Sequence, residues 1–134
     1  MKLIFCLSNL FVPATLTLIS KFRNDTILLY TYEIGIIGFF KHLNLDNVVL
    51  FFVTIPKITS PISFLKKRKI ILNRLESNSL RDIFFFHNIF GSFENWLITR
   101  LSKSTKVYFI PIFNEFDFER RFSLKSLERI LISK

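Results

Sequence analysis

Two residues of this chain have side chains suited to proton transfer and stand directly after apolar runs. His87 follows residues 83–86, and Glu33 follows residues 26–32. An imidazole titrates near neutral pH and a carboxylate accepts a proton, so each side chain is a candidate general base. A histidine that fills the half-buried end of a strand, held by one hydrogen bond, is the structural alternative for His87. On this pattern we predict His87 and Glu33 as catalytic residues.

Polar side chains suited to ligand binding also follow apolar runs. In an open parallel sheet, ligands bind beyond the carboxyl ends of the strands, at the point where the strand order reverses. The segments at those ends meet at one edge of the sheet although they are far apart in sequence. The predicted substrate-binding residues are Ser8, Asn9, Tyr32, Asn88 and Asn114.

Other reactive residue types form no specific motif. Cys6 is the only cysteine, which excludes an internal disulfide, and it is predicted to belong to the core. Glu115 and Asp117 are loop acids whose spacing shows no convergent ligand set, so no metal is predicted. Gly35 and Gly38 do not form a dinucleotide fingerprint and are predicted to allow close helix packing or a loose turn. No phosphate loop and no nucleophile elbow is present, and no cofactor is predicted.

The elements that would position these residues are clearest in residues 81–113. Residues 83–86 form an uncharged apolar run, which is typical of a strand buried on both faces. Ser92 is a good helix N-cap, Glu94 suits the first turn of a helix, and apolar residues then recur at helical spacing. A second buried strand follows at 107–110. Strand, helix and strand make a βαβ unit, which crosses over right-handed into a parallel sheet.

Apolar runs recur along the whole chain and are separated by segments of helix length. We therefore predict an α/β fold, a single Rossmann-like domain over residues 1–134 with helices on both faces of a parallel sheet. The five predicted strands are residues 3–7, 26–32, 48–53, 83–87 and 107–112, and the runs at 48–53, 83–86 and 107–110 are expected to be buried. The strand order is expected to be 3-2-1-4-5, the common doubly wound arrangement. The predicted helices are residues 13–22, a helix ending near His42, residues 63–80, a helix beginning at Ser92, and residues 124–132.

The first twenty residues allow a second interpretation. Residues 3–20 carry no charge, which is typical of a signal peptide or a membrane span. Ser8, Asn9 and Pro13 interrupt the stretch, so a strand followed by a helix is the preferred interpretation. A small membrane-associated protein anchored through residues 1–20 stays open as an alternative.

Composition favours a folded domain with an anionic partner. Half of the residues are apolar and 18 are phenylalanine, which argues against disorder, and the formal net charge is +9. The most basic stretch, residues 63–80, is a candidate contact for an anionic membrane surface, with a solvated helix face as the alternative interpretation. Its predicted contact residues are Lys66, Lys67, Arg68 and Lys69. Tyrosine and phenylalanine fall in buried runs rather than among the basic residues, so nucleic acid is not a predicted partner.

The order of elements resembles the N-terminal half of a bacterial GT-B-type glycosyltransferase of capsule or lipooligosaccharide synthesis, including sialyltransferase-like enzymes. The resemblance rests on KLIFCLSNLFVPATLTLI, on ILLYTY, and on DIFFFHNIFGSFENWLI followed by KVYFIPI. It implies a domain that binds a saccharide acceptor, with the sugar nucleotide held by a second domain that is missing here. The acidic-acidic-Gly and His-Pro motifs of sialyltransferase-like enzymes are also missing, so the isolated chain is expected to be inactive. The implied location is cytoplasmic, or peripheral on the inner face of the membrane.

A non-enzymatic α/β interaction module is the main alternative function. Such a module would resemble a receiver or a flavodoxin-like domain. The first predicted strand lacks the acidic pair that a receiver carries at its end, and LSNLFVPAT supplies only part of a flavodoxin phosphate loop.

Overall fold

The computed structural model describes residues 1–54, 61–86 and 92–111. Within them lie the strands β1 (Lys2–Phe5), β2 (Ile27–Thr31), β3 (Val48–Phe52), β4 (Asp82–Phe86) and β5 (Lys106–Ile110). All five pair in parallel in one sheet of order β3-β2-β1-β4-β5. This confirms the predicted α/β, Rossmann-like fold, its strands to within a residue or two at each end, and the predicted strand order.

Helices connect the strands and cover both faces of the sheet. A short 3₁₀ turn (Asn9–Phe11) leads into the first of the helices, which are α1 (Val12–Lys21), α2 (Ile34–Leu43), α3 (Pro61–Glu76) and α4 (Ser92–Leu101). Ile19 of α1 and Phe40 of α2 belong to the core on one face of the sheet. Leu75 of α3 and Leu97 of α4 belong to the core on the other face. The predicted helix at residues 124–132 lies outside the described residues.

The place of each strand in the sheet determines how deeply its apolar run is buried. Every residue of β1 and β2 is buried, because these strands have neighbours on both sides and helices on both faces. β3 and β5 lie at the edges, where Val49 is 47% exposed and Phe109 is 46% exposed. The prediction of buried strands at 48–53 and 107–110 was therefore wrong in its burial, since an edge strand has a neighbouring strand on one side only.

The first twenty residues form a strand and a helix, as predicted. Pro13 lies in the first turn of α1, where a missing N–H is tolerated. Thr15 and Ile19 are buried against the sheet, and the Phe22 ring lies 5.3 Å from the Phe84 ring. These residues do not form the continuous helix that a membrane anchor would need. In the part of the chain that the structure describes, no helix is both long and apolar enough to cross a bilayer.

The two glycines of α2 do not have the role predicted for them. A Cβ atom added to Gly35 or Gly38 would meet no atom within 4 Å, so neither glycine permits a close contact. Neither has a positive φ, so neither forms a turn. The turn after α2 depends instead on Asn44, whose left-handed φ of 47° ends the helix.

A buried ion pair joins β1 to β4 at the amino ends of the strands. The Lys2 Nζ lies 2.5 Å from Asp82 Oδ2 and 3.8 Å from Asp25 Oδ2, and the Arg81 guanidinium reaches the Asp25 carboxylate at 3.6 Å. The Lys2 side chain is only 10% exposed, and a charge that is buried to this degree needs a partner. The pair links two strands whose residues are 80 positions apart in sequence.

Candidate functional site

The candidate site lies at the carboxyl edge of the sheet, where β1 and β2 end side by side. Ser8 and Asn9 follow β1, and Tyr32 and Glu33 follow β2. The structure therefore places these four residues at one edge. Outside the described residues lie the other sequence-predicted candidates, which are His87, Asn88, Asn114, Glu115 and Asp117. Their positions at this edge stay predictions.

Ser8 shapes the turn that follows β1. Its hydroxyl accepts a hydrogen bond from the Leu10 N–H at 3.3 Å, and its carbonyl accepts one from the Phe11 N–H at 3.0 Å. The backbone is extended at Ser8, and the 3₁₀ turn begins at the next residue. The Ser8 hydroxyl therefore acts as a local cap, while the exposed side chain of Asn9 is open to a ligand.

Glu33 is exposed and stands immediately before α2. Its N–H donates to the Thr31 hydroxyl at 3.1 Å, and its carbonyl accepts from the Ile37 N–H at 3.2 Å. Its carboxylate makes no capping hydrogen bond to the helix. The backbone of Glu33 is thus fixed by the end of β2 and the start of α2, and its carboxylate is accessible at the carboxyl edge.

A buried pair of an acid and a tyrosine, absent from the sequence prediction of the site, lies on the α4 face of the sheet. Glu94 in the first turn of α4 is 4% exposed, and Tyr30 of β2 is fully buried. The Tyr30 hydroxyl donates a long hydrogen bond of 3.5 Å to Glu94 Oε1. Among the described residues, no lysine or arginine forms an ion pair with Glu94. The sequence suggested only that Glu94 suits a helix start.

Burial controls the proton affinity of this pair and of the neighbouring Tyr32. Burial raises the pKa of Glu94 above its ordinary value of 4.5, and hydrogen bonds from its own backbone N–H and from Tyr30 offset part of that rise. Burial, and then the charge of Glu94, raise the pKa of Tyr30. The pKa of Tyr32 is raised by burial first and then by the charges of Glu94 and Glu33. Both phenols therefore remain hydrogen-bond donors, and Glu94 holds its proton more tightly than an exposed carboxyl.

Asn9, Tyr32 and Glu33 are exposed or half-buried at the carboxyl edge, and they suit the binding of a polar, uncharged ligand. Phenol donors, an amide and carboxyl groups can each bind a ligand hydroxyl. Tyr30 and Tyr32 stand two positions apart at the end of a strand, so their side chains share one face of the sheet. That spacing is the signal from which a tyrosine pair on the α4 face could have been predicted. In the described ranges, no three His, Cys, Asp or Glu side chains lie close enough together to hold a metal ion.

Cys6 belongs to the core, as predicted. It is fully buried directly after β1, and its N–H donates to the Tyr30 carbonyl at 2.9 Å. Burial raises the pKa of the Cys6 thiol, and the nearby Thr15 hydroxyl opposes that rise. The Thr15 hydroxyl is itself buried without a regular hydrogen bond to any described atom. A thiol in this environment is a poor nucleophile.

A depression of about 360 Å³ opens at the opposite end of the sheet. It is lined by Glu76, Ser79, Leu80, Leu101, Ser104 and Thr105. These residues come from the segments that precede β4 and β5, at the amino ends of the strands. The hydroxyls of Ser104 and Thr105 donate to the Leu101 carbonyl. Among the sequence-predicted site residues that the structure describes, Ser8, Asn9, Tyr32 and Glu33 do not line this depression.

A scan of protein-family models found no match to the chain, and searches of curated proteins and of solved structures found none either. A Rossmann-like fold supports many unrelated activities, so the function has to be argued from the site. The glycosyltransferase resemblance is not tested by these comparisons and stays a prediction.

Proposed function

We propose that this chain is the acceptor-binding N-terminal domain of a two-domain glycosyltransferase that acts in the synthesis of a bacterial surface polysaccharide. The observation that carries the proposal is an apolar carboxyl edge. Among the described residues, the three most exposed large apolar side chains are Ile34, Ile62 and Leu10, at 78%, 67% and 63%. Each stands at the start of the helical segment that follows a strand, so all three lie at the same edge of the parallel sheet.

Exposed apolar side chains at a ligand-binding edge support the presence of a second domain. Apolar surface rimmed by polar residues marks a place where another protein surface packs. Open α/β sheets bind ligands at this same edge, and ligand sites occur preferentially between domains. A second domain that faces this edge would cover Leu10 and Ile34, and would close a cleft over Asn9 and Glu33.

The polar residues would have separate roles in that cleft. The Asn9 amide and the Tyr32 phenol would bind hydroxyl groups of the saccharide acceptor, and the second domain would bind the sugar nucleotide. Glu33 or His87 would take the proton of the attacking hydroxyl as its oxygen bonds to the anomeric carbon and the nucleotide leaves. In the two-domain protein, His87→Ala is expected to lower turnover by about two to four orders of magnitude if His87 is that base.

Saccharide binding by the isolated chain tests the proposal, because an acceptor domain carries its own acceptor contacts. Saturation-transfer NMR against oligosaccharides from bacterial capsules and lipooligosaccharides should reveal at least one ligand. Asn9→Ala and Glu33→Gln should each weaken its binding by about tenfold, the effect of losing one good hydrogen bond. Glu76→Gln, an exposed acid at the other end of the sheet, is the matched control and should leave binding unchanged. If no oligosaccharide binds at millimolar concentration, or if the control weakens binding equally, the proposal is wrong.

A protein-binding module without enzymatic activity is the second candidate, and the same apolar edge favours it. The two candidates differ in what the exposed apolar side chains do. For the module, Ile34→Asn should abolish binding of a protein partner, while no saccharide binds to the unaltered chain. For the acceptor domain, Ile34→Asn should leave saccharide binding intact and reduce self-association of the isolated chain in sizing chromatography.

A further inference from the structure

We infer that the outer face of α3 binds an anionic membrane surface. The outer face is defined as the exposed residues Ile62, Leu65, Lys66, Lys67, Lys69 and Ile70. Ile62, in the first turn of α3, also lies near the carboxyl edge, but the other residues of this face do not, and the face includes none of the polar residues of that edge. The inference therefore does not depend on the proposed function.

The arrangement of α3 against the sheet leaves large apolar side chains in solvent. Leu75 is fully buried in the core, and Ile71 and Leu72 pack against that core. On the opposite side of the helix, Ile62 and Ile70 are 67% and 58% exposed. An ordinary solvated helix would carry polar groups at such positions. The exposed isoleucines therefore indicate that this face contacts something apolar.

The charges around these isoleucines identify an anionic partner. Lys66, Lys67 and Lys69 are exposed on the same helix, and Arg100 is exposed on the neighbouring α4. Glu76 is the single exposed acid within the described residues of α3 and α4, since Glu94 is buried. Lysines with apolar side chains between them on one helix face are typical of helices that lie in a membrane interface. There the lysines reach the anionic headgroups and the isoleucines enter the acyl boundary.

Arg68, one of the sequence-predicted membrane contacts, is left out of the proposed face. Its guanidinium carbon lies 3.9 Å from the centre of the Trp96 ring, so the side chain turns toward α4. The Phe64 and Phe93 rings, 6.1 Å apart, join the same two helices. Arg68 thus contributes to the packing of α3 against α4 and is not available on the outer face.

Lipid is favoured over nucleic acid by the apolar residues of this face. A nucleic-acid surface uses basic side chains with aromatic rings on which bases stack. The rings of this region, Phe64, Phe93 and Trp96, contact one another or Arg68 on the inner side of α3. The outer face offers branched aliphatic side chains instead, which gain free energy from an acyl layer and none from a phosphate backbone.

Vesicle co-sedimentation tests the inference with the full chain. We expect binding to phosphatidylcholine vesicles that contain about a third phosphatidylserine, weak binding to pure phosphatidylcholine, and weaker binding as salt rises. Lys66→Gln/Lys67→Gln/Lys69→Gln should lower the partition coefficient about a hundredfold, since each lysine near an anionic surface contributes about fivefold. The matched control, Lys21→Gln/Lys41→Gln/Lys103→Gln, removes the same charge from other exposed positions and should change it less than about threefold.

A second variant tests the apolar part separately. Ile62→Ser/Ile70→Ser should lower partition about tenfold at unchanged net charge. Circular dichroism confirms that each variant is folded, which is expected because all substituted side chains are exposed. The inference is overturned if the two lysine triples weaken binding equally, or if the serine variant binds as tightly as the unaltered chain. It is also overturned if short duplex DNA binds the chain in preference to the anionic vesicles.

Discussion

Replacing Glu94 with glutamine should stabilise the protein at neutral pH. Glu94 is 4% exposed, and its carboxyl accepts hydrogen bonds from its own backbone N–H and, over 3.5 Å, from the Tyr30 hydroxyl. It has no cationic partner among the described residues. Burial raises its pKa, so the folded chain binds the proton of this carboxyl more tightly than the unfolded chain does. Glutamine has nearly the same shape and keeps an oxygen for the Tyr30 hydroxyl. It has no charge to leave in the interior.

The sign and size of the effect follow from proton linkage. Below pH 4.5, the ordinary pKa of this carboxyl, both states are protonated and the charge has no effect. Between that pH and the higher folded-state pKa, the unfolded chain has lost the proton and the folded chain has kept it. The free energy of unfolding of the natural protein then falls relative to that of Glu94→Gln, by up to about 1.4 kcal/mol per pH unit. Above the folded-state pKa the difference is constant. A carboxylate near a helix N-terminus stabilises the natural protein by about 0.3–1 kcal/mol, and this reduces the advantage of the Glu94→Gln variant by the same amount.

Urea denaturation between pH 4 and 8, followed by the fluorescence of Trp96, measures this difference. Trp96 is the only tryptophan and stands two positions after Glu94, so its emission reports on α4 itself. Other carboxylates contribute equally to both proteins and cancel in the comparison. Tyr30→Phe is the companion variant. It should enlarge the pH dependence of the free energy of unfolding, because the Glu94 carboxylate loses the hydrogen bond from the Tyr30 hydroxyl. A difference that does not grow with pH, or a Glu94→Gln protein that is less stable at pH 7, would refute the reasoning.

Three further predictions concern the helices and the core. Gly38→Ala should raise the free energy of unfolding by about 0.5–1 kcal/mol, since alanine favours the helix and its methyl group meets no atom within 4 Å. A lower free energy of unfolding in urea denaturation would contradict this prediction. Leu97→Ala, at a position with 0% exposure, should lower the free energy of unfolding by about 2–5 kcal/mol. Thr99→Ala, on the exposed side of α4, should change the free energy of unfolding by less than about 0.5 kcal/mol. The Cys6 thiol is buried and has a raised pKa, so it should react with an aromatic disulfide reagent only as fast as the chain unfolds. Reaction of the folded protein faster than its unfolding rate would contradict this prediction.

Which segments are strands and which are helices could be predicted from the amino-acid sequence. A strand that is covered on both faces has few positions for charged side chains, so β1, β2 and β4 appear as apolar runs, and the only charges in them, Lys2 and Asp82 at the amino ends, pair with each other. The segments between the runs are long enough for a helix, which leads to parallel pairing. Parallel pairing in turn placed Asn9 and Glu33 at one edge. The order of the strands was predicted from the preference of doubly wound sheets, and no single residue specified it.

Which of these residues are buried together could not be predicted from the sequence and depends on the tertiary packing. Tyr30 and Glu94 are 64 positions apart, and Lys2 and Asp82 are 80 positions apart. Local patterns report on neighbours within about a turn of helix or two positions of a strand. Whether Glu94 enters the core, and whether Arg68 stacks on a ring, depends on how each helix is rotated against the sheet. The partial exposure of β3 and β5 also could not be seen in their residues, because an apolar run has the same appearance in sequence whether one or two strands flank it.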